Sequence, residues 1–324
     1  MKLFVYSHRP DETIYFKAFS KEYGVEVTLC SDAPTLKNVK LAAGHSCISI
    51  ITTKINAEML EEFYQAGVRF ISTRTIGYDH IDLESAKSLG ILVDNVSYSP
   101  NSVAEYTVML MLMLIRKTKA IIERSRVQDY TLDGLQGKEL HNMTVGVVGT
   151  GRIGQTVIRN LNGFCCRVLA FDLYPNEKTG LYAEYVPIEE LLSGSDIITL
   201  HLPGNEGNQC LINRETISSM KDGVLLVNTA RGSLVDSKAL IDAIESKKIG
   251  GAALDVISGE TEYFYSNLKN EILAHRDLAL LSSYPNVIMT PHTAFYTDQA
   301  VSDMVENSIR SCANFMKVNT GKTH

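Results

Sequence analysis

MTVGVVGTGRIG (143–154), followed 18 residues later by Asp172, is the stretch whose reading decides the fold. Met143, Val145, Val147 and Val148 form a short apolar run of the kind a parallel strand shows when both its faces are covered. Gly149, Gly151 and Gly154 then occupy the three glycine places of GxGxxG. The first permits a tight turn, the second lets the backbone approach a pyrophosphate, and the third lets a helix pack on the strand. A helix over 153–161 would point its unpaired N–H groups at those phosphates. RVLAFD (167–172) reads as the next strand, and Asp172 at its end is spaced to accept hydrogen bonds from adenosine ribose hydroxyls. Strand, glycines, helix and acid together predict a dinucleotide site.

Working outward, short β-rich runs alternate with helical patterns from end to end, which predicts α/β architecture with parallel sheets. A first set is KLFVYS (2–7), VEVTLC (25–30), CISIIT (47–52), RFISTR (69–74) and ILVDNV (91–96). Between them lie the amphipathic stretches AEMLEEFYQAG (57–67) and DLESAKSLG (82–90), each ending on a glycine suited to terminate a helix. A second set starts with the glycine motif and continues through DIITLHLP (196–203), GVLLVNTARG (223–232), GGAALDV (250–256) and NVIMTPH (286–292). Two doubly wound parallel-sheet domains with a cleft between them are expected. One is a Rossmann domain at 100–299. The other is a flavodoxin-like domain at 1–99, completed by 300–324. One long helix over 101–125 is expected to carry the chain into the nucleotide domain, and a helix over about 297–317 to carry it back.

Composition narrows the function. Of 324 residues, 45% are hydrophobic and 21% charged, ordinary globular values that exclude a disordered chain. A formal charge of −6 argues against nucleic acid as a partner, and RKTK (116–119) reads as the solvated end of a helix. The six cysteines show no CxxC and no metal-ligand spacing. Most lie in apolar runs, so they are expected to be buried free thiols of a reducing, cytoplasmic protein. KLFVYS is too short for a signal-peptide core. The run VMLMLMLI (108–115) is far below the ~20 residues of a membrane span. A helix apolar on every side belongs in a core or a subunit interface, so a homodimer is expected.

Ligands of open parallel sheets bind beyond the carboxyl ends of the strands. Arg231 follows VLLVNTA, Asp255 ends GGAALD, His292 follows VIMTP, and Glu260 lies just beyond Asp255. An arginine fork suits the carboxylate of a 2-oxo acid. A histidine can deliver the proton that a ketone oxygen needs as hydride reaches the carbon. A glutamate beside that histidine would fix its tautomer and favour its charged form.

These residues also carry a family resemblance. NTARG (228–232), GGAALDVISGE (250–260) and TPHTAFYT (290–297), behind GVVGTGRIG, resemble the D-isomer-specific 2-hydroxyacid dehydrogenases over nearly the whole chain. YSPNSVAEYT (98–107) and STRTIGYDHIDL (72–83) resemble the D-lactate dehydrogenase branch, and SGETEYFYSN (258–267) is most similar to its vancomycin-resistance type. The resemblance implies NADH-dependent reduction of pyruvate, with Arg231 binding substrate and His292, paired with Glu260, as acid and base. It implies that Arg152 and Ile153 lie along the pyrophosphate and that Asp172 binds the adenosine ribose. Leu202, Pro203, Asn208, Thr229, Ala230 and Asp255 would make further cofactor contacts. The backbone at Ile76 and Gly77 would hold the substrate carboxylate, Tyr98 would close the pocket, and Phe295 would form an apolar wall. Ile50 stands where relatives carry an aromatic residue, which leaves bulkier 2-oxo acids such as 2-oxoisocaproate or phenylpyruvate as the alternative. A more distant alternative is an NAD-sensing binding protein without turnover; such proteins add docking tails, whereas this chain ends soon after its last helical pattern.

Overall fold

A computed structural model describes residues 1–177 and 179–320. The chain divides into two compact units, Met1–Ser99 with Tyr296–His324, and Pro100–Phe295.

The first unit is built on five strands, β1 (Lys2–Val5), β2 (Glu26–Leu29), β3 (Cys47–Ile50), β4 (Phe70–Thr73) and β5 (Leu92–Asn95). They pair in the order β2-β1-β3-β4-β5, all parallel, the flavodoxin-like order. Alternate side chains of β1 enter different cores. Leu3 and Val5 join Phe16 of α1 (Thr13–Tyr23) and Val305, Ile309 and Ala313 of the last helix, α11 (Asp298–Thr320). Phe4, with Tyr6 just beyond the strand, joins Leu60 and Phe63 of α2 (Ala57–Gln65) and Ala86 of α3 (Leu83–Ser88). Both faces of the central strands are therefore covered, so β3 and β4 are buried throughout, while the edge strands β2 (EVTL) and β5 (LVDN) carry polar residues and are partly exposed.

The second unit opens with α4 (Asn101–Ile115) and α5 (Thr118–Arg126) where a single helix over 101–125 is expected. The break has a tertiary cause. The Ile115 carbonyl accepts from Lys138 N–H at 2.9 Å rather than continuing the helix. A Cβ on Gly137 would stand 2.7 Å from that same oxygen. The chain turns at Lys117, whose φ of 53° is left-handed.

Seven strands follow: β6 (Thr144–Val148), β7 (Arg167–Phe171), β8 (Glu184–Tyr185), β9 (Ile197–Leu200), β10 (Val224–Asn228), β11 (Ile249–Leu254) and β12 (Val287–Met289). They are parallel in the order β12-β11-β10-β9-β6-β7-β8. This is the dinucleotide-binding order extended by one strand, with its switch point between β6 and β9. One face packs on α4 and on α6 (Arg152–Asn162). The other packs on α7 (Ile188–Gly194), α8 (Arg214–Ser219), α9 (Ser237–Glu245) and α10 (Arg276–Ser283).

Of the α4 run, Val108, Leu110, Met111 and Ile115 are buried in the core, Leu112, Met113 and Leu114 pack against it, and Met109 is 40% exposed. One further expectation needs correction. All six cysteines are free, yet only Cys47 and Cys312 are buried, and Cys165 and Cys210 are exposed. Both exposed thiols sit in left-handed turns (φ 54° and 49°) that lift them out of the apolar runs beside them. Among the described residues no helix is long and apolar enough to cross a membrane. No cluster of His, Cys, Asp and Glu among them could hold a metal ion.

Candidate active site

The glycine turn has the shape its sequence implies. Gly149 is left-handed at φ 94°, and a Cβ there would stand 2.6 Å from the His201 carbonyl oxygen. A Cβ on Gly154 would collide with the Gly149 carbonyl, so the helix can lie this close only on glycine. Gly151 differs: nothing among the described residues lies within 4 Å of the position its Cβ would take. It caps α6 without a side-chain acceptor, so the helix start at Ile153 and Gly154 presents backbone N–H groups beside open space. Arg152 is exposed at the helix start, and Ile153 packs against the core beneath.

Asp172 leaves β7 with its carboxylate pinned. One oxygen accepts from Thr150 N–H at 2.6 Å and the Thr150 hydroxyl at 3.1 Å, and the other from Tyr174 N–H at 2.9 Å. The Tyr185 hydroxyl of β8 donates in turn to Thr150 at 2.8 Å. Leu202 and Pro203 follow β9, and the Asn208 amide donates to the Pro203 carbonyl at 3.0 Å. Thr229 is buried after β10 and bonds to Thr107 of α4 at 2.8 Å, while Ala230 N–H donates to the Asn228 side chain at 3.0 Å.

At the same sheet edge lie three groups able to act on a 2-oxo acid. Arg231 follows β10, with Nη1 donating to the Ala230 carbonyl at 2.7 Å. Gly232 lets this turn lie against the backbone of Ile257 and Ser258, where any side chain would collide. Beyond that contact Glu260 aims both oxygens inward. One accepts from Ile257 N–H at 2.6 Å, and the other stands 2.6 Å from His292 Nδ1. An acceptor there keeps the proton on Nδ1, so Nε2 is the nitrogen left to exchange one with a ligand. His292 is itself left-handed, φ 52°. Its N–H donates to the Asp255 carbonyl at 2.8 Å, and its carbonyl accepts from the Tyr265 hydroxyl at 2.7 Å. Phe295 sets its ring edge-on to the imidazole, centroids 6.3 Å apart.

Asp255, expected among the cofactor contacts, is engaged within the fold. It is wholly buried, and its oxygens accept from the Thr290 hydroxyl (2.6 Å) and from Thr293 and Ala294 N–H (both 2.9 Å). Burial pushes its pKa above the ordinary carboxylate range, against the pull of those bonds. Its work is to hold the turn that carries His292.

His201, at the end of β9, went unnoticed within DIITLHLP. Desolvation pushes its pKa down to about 3, and Nε2 lies 3.0 Å from the Thr199 hydroxyl. Two histidines thus sit at strand ends of one sheet, and only His292 has a carboxylate partner.

In the first unit, the 75–77 turn follows β4. Its carbonyls are turned inward: Asn95 donates to the Ile76 oxygen and the Thr75 hydroxyl to the Gly77 oxygen at 2.6 Å. The Ile76 and Gly77 N–H groups find no acceptor among the described residues. Tyr98 is half-buried after β5. Ile50, expected at a substrate wall, is fully buried among Tyr6, Leu60 and Phe63, because β3 points it into the core.

A family model described as D-isomer specific 2-hydroxyacid dehydrogenase, NAD binding domain, matches residues 108–294. The D-specific alpha-keto acid dehydrogenase of Enterococcus faecium is 47% identical over 312 residues, 96% of each chain. The chain belongs to the D-isomer specific 2-hydroxyacid dehydrogenase family. This dehydrogenase is also 45% identical to an aromatic 2-oxoacid reductase of Clostridium sporogenes, over 97% of this chain and 96% of that one. Its fold superposes on the crystal structure of a D-lactate dehydrogenase from Treponema pallidum with TM-score 0.89, at 37% identity over 98% and 97% of the two chains. The cofactor of the family, NAD, fits the residues present: the open face of Gly151, the α6 N-terminus and the pinned Asp172 are what its pyrophosphate and ribose need.

Proposed function

We propose that this dehydrogenase reduces pyruvate to D-lactate with NADH. The observation that carries the reading is the His292–Glu260 pair, 2.6 Å apart at the strand ends beyond the glycine turn. NADH, bound along that turn, supplies the hydride. Arg231 suits the 2-oxo acid carboxylate and polarises the ketone. In the first unit the Ile76 and Gly77 amides are themselves suited to a carboxylate. His292, its Nδ1 held by Glu260, hands a proton from Nε2 to the ketone oxygen. In the reverse direction neutral His292 takes the proton from the hydroxyl. Phe295, edge-on to the His292 imidazole, offers an apolar wall for the substrate's methyl group.

The test is kcat/KM across a panel of 2-oxo acids. Pyruvate is expected to lead, with 2-oxobutyrate still turned over, since a pocket discriminates one methylene by only ~1–3 kcal/mol. The similarity to an aromatic 2-oxoacid reductase favours a second reading, a reductase of bulkier 2-oxo acids. A phenylpyruvate kcat/KM well above that of pyruvate would establish that reading instead.

Cofactor choice follows from Asp172. Its carboxylate is held from three sides, so it cannot swing away from a 2′-phosphate. Two like charges a few ångströms apart in a partly dry site cost on the order of 1–4 kcal/mol. NADH is therefore expected to exceed NADPH at least ~10-fold in kcat/KM, and equal values for the two would remove Asp172 from this role.

A second copy of the chain is the proposed partner. Met109 of α4, Ile121 and Ile122 of α5, and Val127, Tyr130 and Leu132 beyond it are all exposed, Leu132 at 86%. So much uncovered apolar side chain on adjoining segments needs a cover. Sedimentation at twice the chain mass is expected, and a monomer at micromolar concentration would refute it.

A further inference from the structure

Arg74 is wholly buried at the carboxyl end of β4, and no catalytic role uses it. Its partners come from three separate segments of the first unit. Nε donates to Glu12 at 3.0 Å, Nη1 to the Ser49 hydroxyl of β3 at 2.8 Å, and Nη2 to the Tyr6 carbonyl at 3.0 Å and the Ser7 carbonyl at 3.3 Å. Ser49 also bonds Ser308 of α11 at 2.7 Å, which ties in the returning helix. Glu12 is equally buried, and it accepts from Arg9 N–H at 2.9 Å. A buried ion pair is a poor route to stability compared with apolar packing, and its better-attested use is to fix one arrangement. What this pair adjoins is the 75–77 turn, the next three residues of the chain. The turn is latched from its far side by Asn95 and by the Thr73–Thr75 hydroxyl pair (2.7 Å).

We propose that Arg74, held by Glu12, is a positioning residue for substrate: it fixes the end of β4 so that the Ile76 and Gly77 amides meet a 2-oxo acid carboxylate. The proposal rests on the function argued above. A guanidinium fork with four fixed acceptors sets position and direction, whereas an ammonium in the same space sets neither. A misplacement near 1 Å at a binding group can cost as much as ~100-fold, and the first unit carries none of the glycine-turn contacts to cofactor.

The experiment measures KM for pyruvate, binding of oxamate to the NADH complex, NADH affinity by fluorescence, and melting temperature. The proteins are wild type, Arg74→Lys, Ser49→Ala and, as a core control in the same unit, Ile48→Val. Arg74→Lys is expected to raise the pyruvate KM ~10-fold or more, with oxamate binding weakened alike and NADH affinity within twofold of wild type. Ser49→Ala removes one bond to the guanidinium and is expected to raise KM ~3-fold. Ile48→Val should lower the melting temperature and leave KM alone. If Arg74→Lys does not fold, Ser49→Ala decides the matter. An unchanged KM in the folded variants overturns the proposal, as does a KM rise matched by Ile48→Val at equal loss of stability. A wild type inactive on every 2-oxo acid overturns the functional reading itself, and this proposal with it.

Discussion

His292→Ala is expected to lose ~10²–10⁴-fold in kcat/KM for ketone reduction, the usual worth of a placed acid. NADH binding should survive, because the glycine turn and Asp172 lie on other strands. The size of the loss follows from how completely the imidazole is committed: Nδ1 belongs to Glu260, and the backbone on either side is tied to Asp255 and Tyr265. Only Nε2 remains to move a proton, and the described residues offer no second histidine with a carboxylate partner at this edge. Glu260→Gln gives the finer reading. A glutamine amide can turn an N–H toward Nδ1 and no longer fixes the proton there, so kcat/KM is expected to fall while NADH binding is kept. Steady-state rates and NADH binding check both variants. A Glu260→Gln rate equal to the wild type would take Glu260 out of the mechanism.

Arg231→Gln is expected to cost about 2–5 kcal/mol in kcat/KM, on the order of 30- to several thousand-fold, as when one member of an enclosed charge pair is truncated. Much of the loss should fall on KM, because the carboxylate is held in ground and transition states alike. Arg231→Lys should recover little of it, since an ammonium cannot span two carboxylate oxygens. The Gly232 contact holds this turn against the loop that carries Glu260, so the guanidinium is presented by packed backbone and not by a free strand end. Steady-state kinetics with a carboxylate-bearing and an esterified 2-oxo substrate separates the roles. A KM for the free acid unchanged by Arg231→Gln would exclude the arginine from substrate binding.

What could be read in the chain, and what could not, divides along a physical line. Gly149 and Gly154 were legible because steric contact and a positive φ leave no other residue possible there. The two sheets were legible because strands covered on both faces are buried at every position and carry only apolar or small hydroxyl side chains, as in CISI and FIST. That Arg231 and His292 lie at strand ends of one sheet, with Glu260 beside the histidine, was legible from the apolar runs that precede them. The break between α4 and α5 was not legible, since its cause is Gly137 and Lys138 closing on the Ile115 carbonyl from 22 residues and more along the chain. Asp255 shows a second limit. Sequence position places a Cα at the strand end, but only the fold shows that Thr290, Thr293 and Ala294 take the carboxylate. Arg74 passed for the end of RFISTR, because its partner Glu12 lies 62 positions away. β8, two residues long, carries no pattern of its own.

The product of pyruvate reduction tests the account most directly. Enzyme, NADH and pyruvate are incubated together, the fall in NADH absorbance is followed, and the lactate formed is resolved on a chiral column. The account predicts D-lactate, one molecule for each NADH consumed. L-lactate, or no oxidation of NADH, would contradict it.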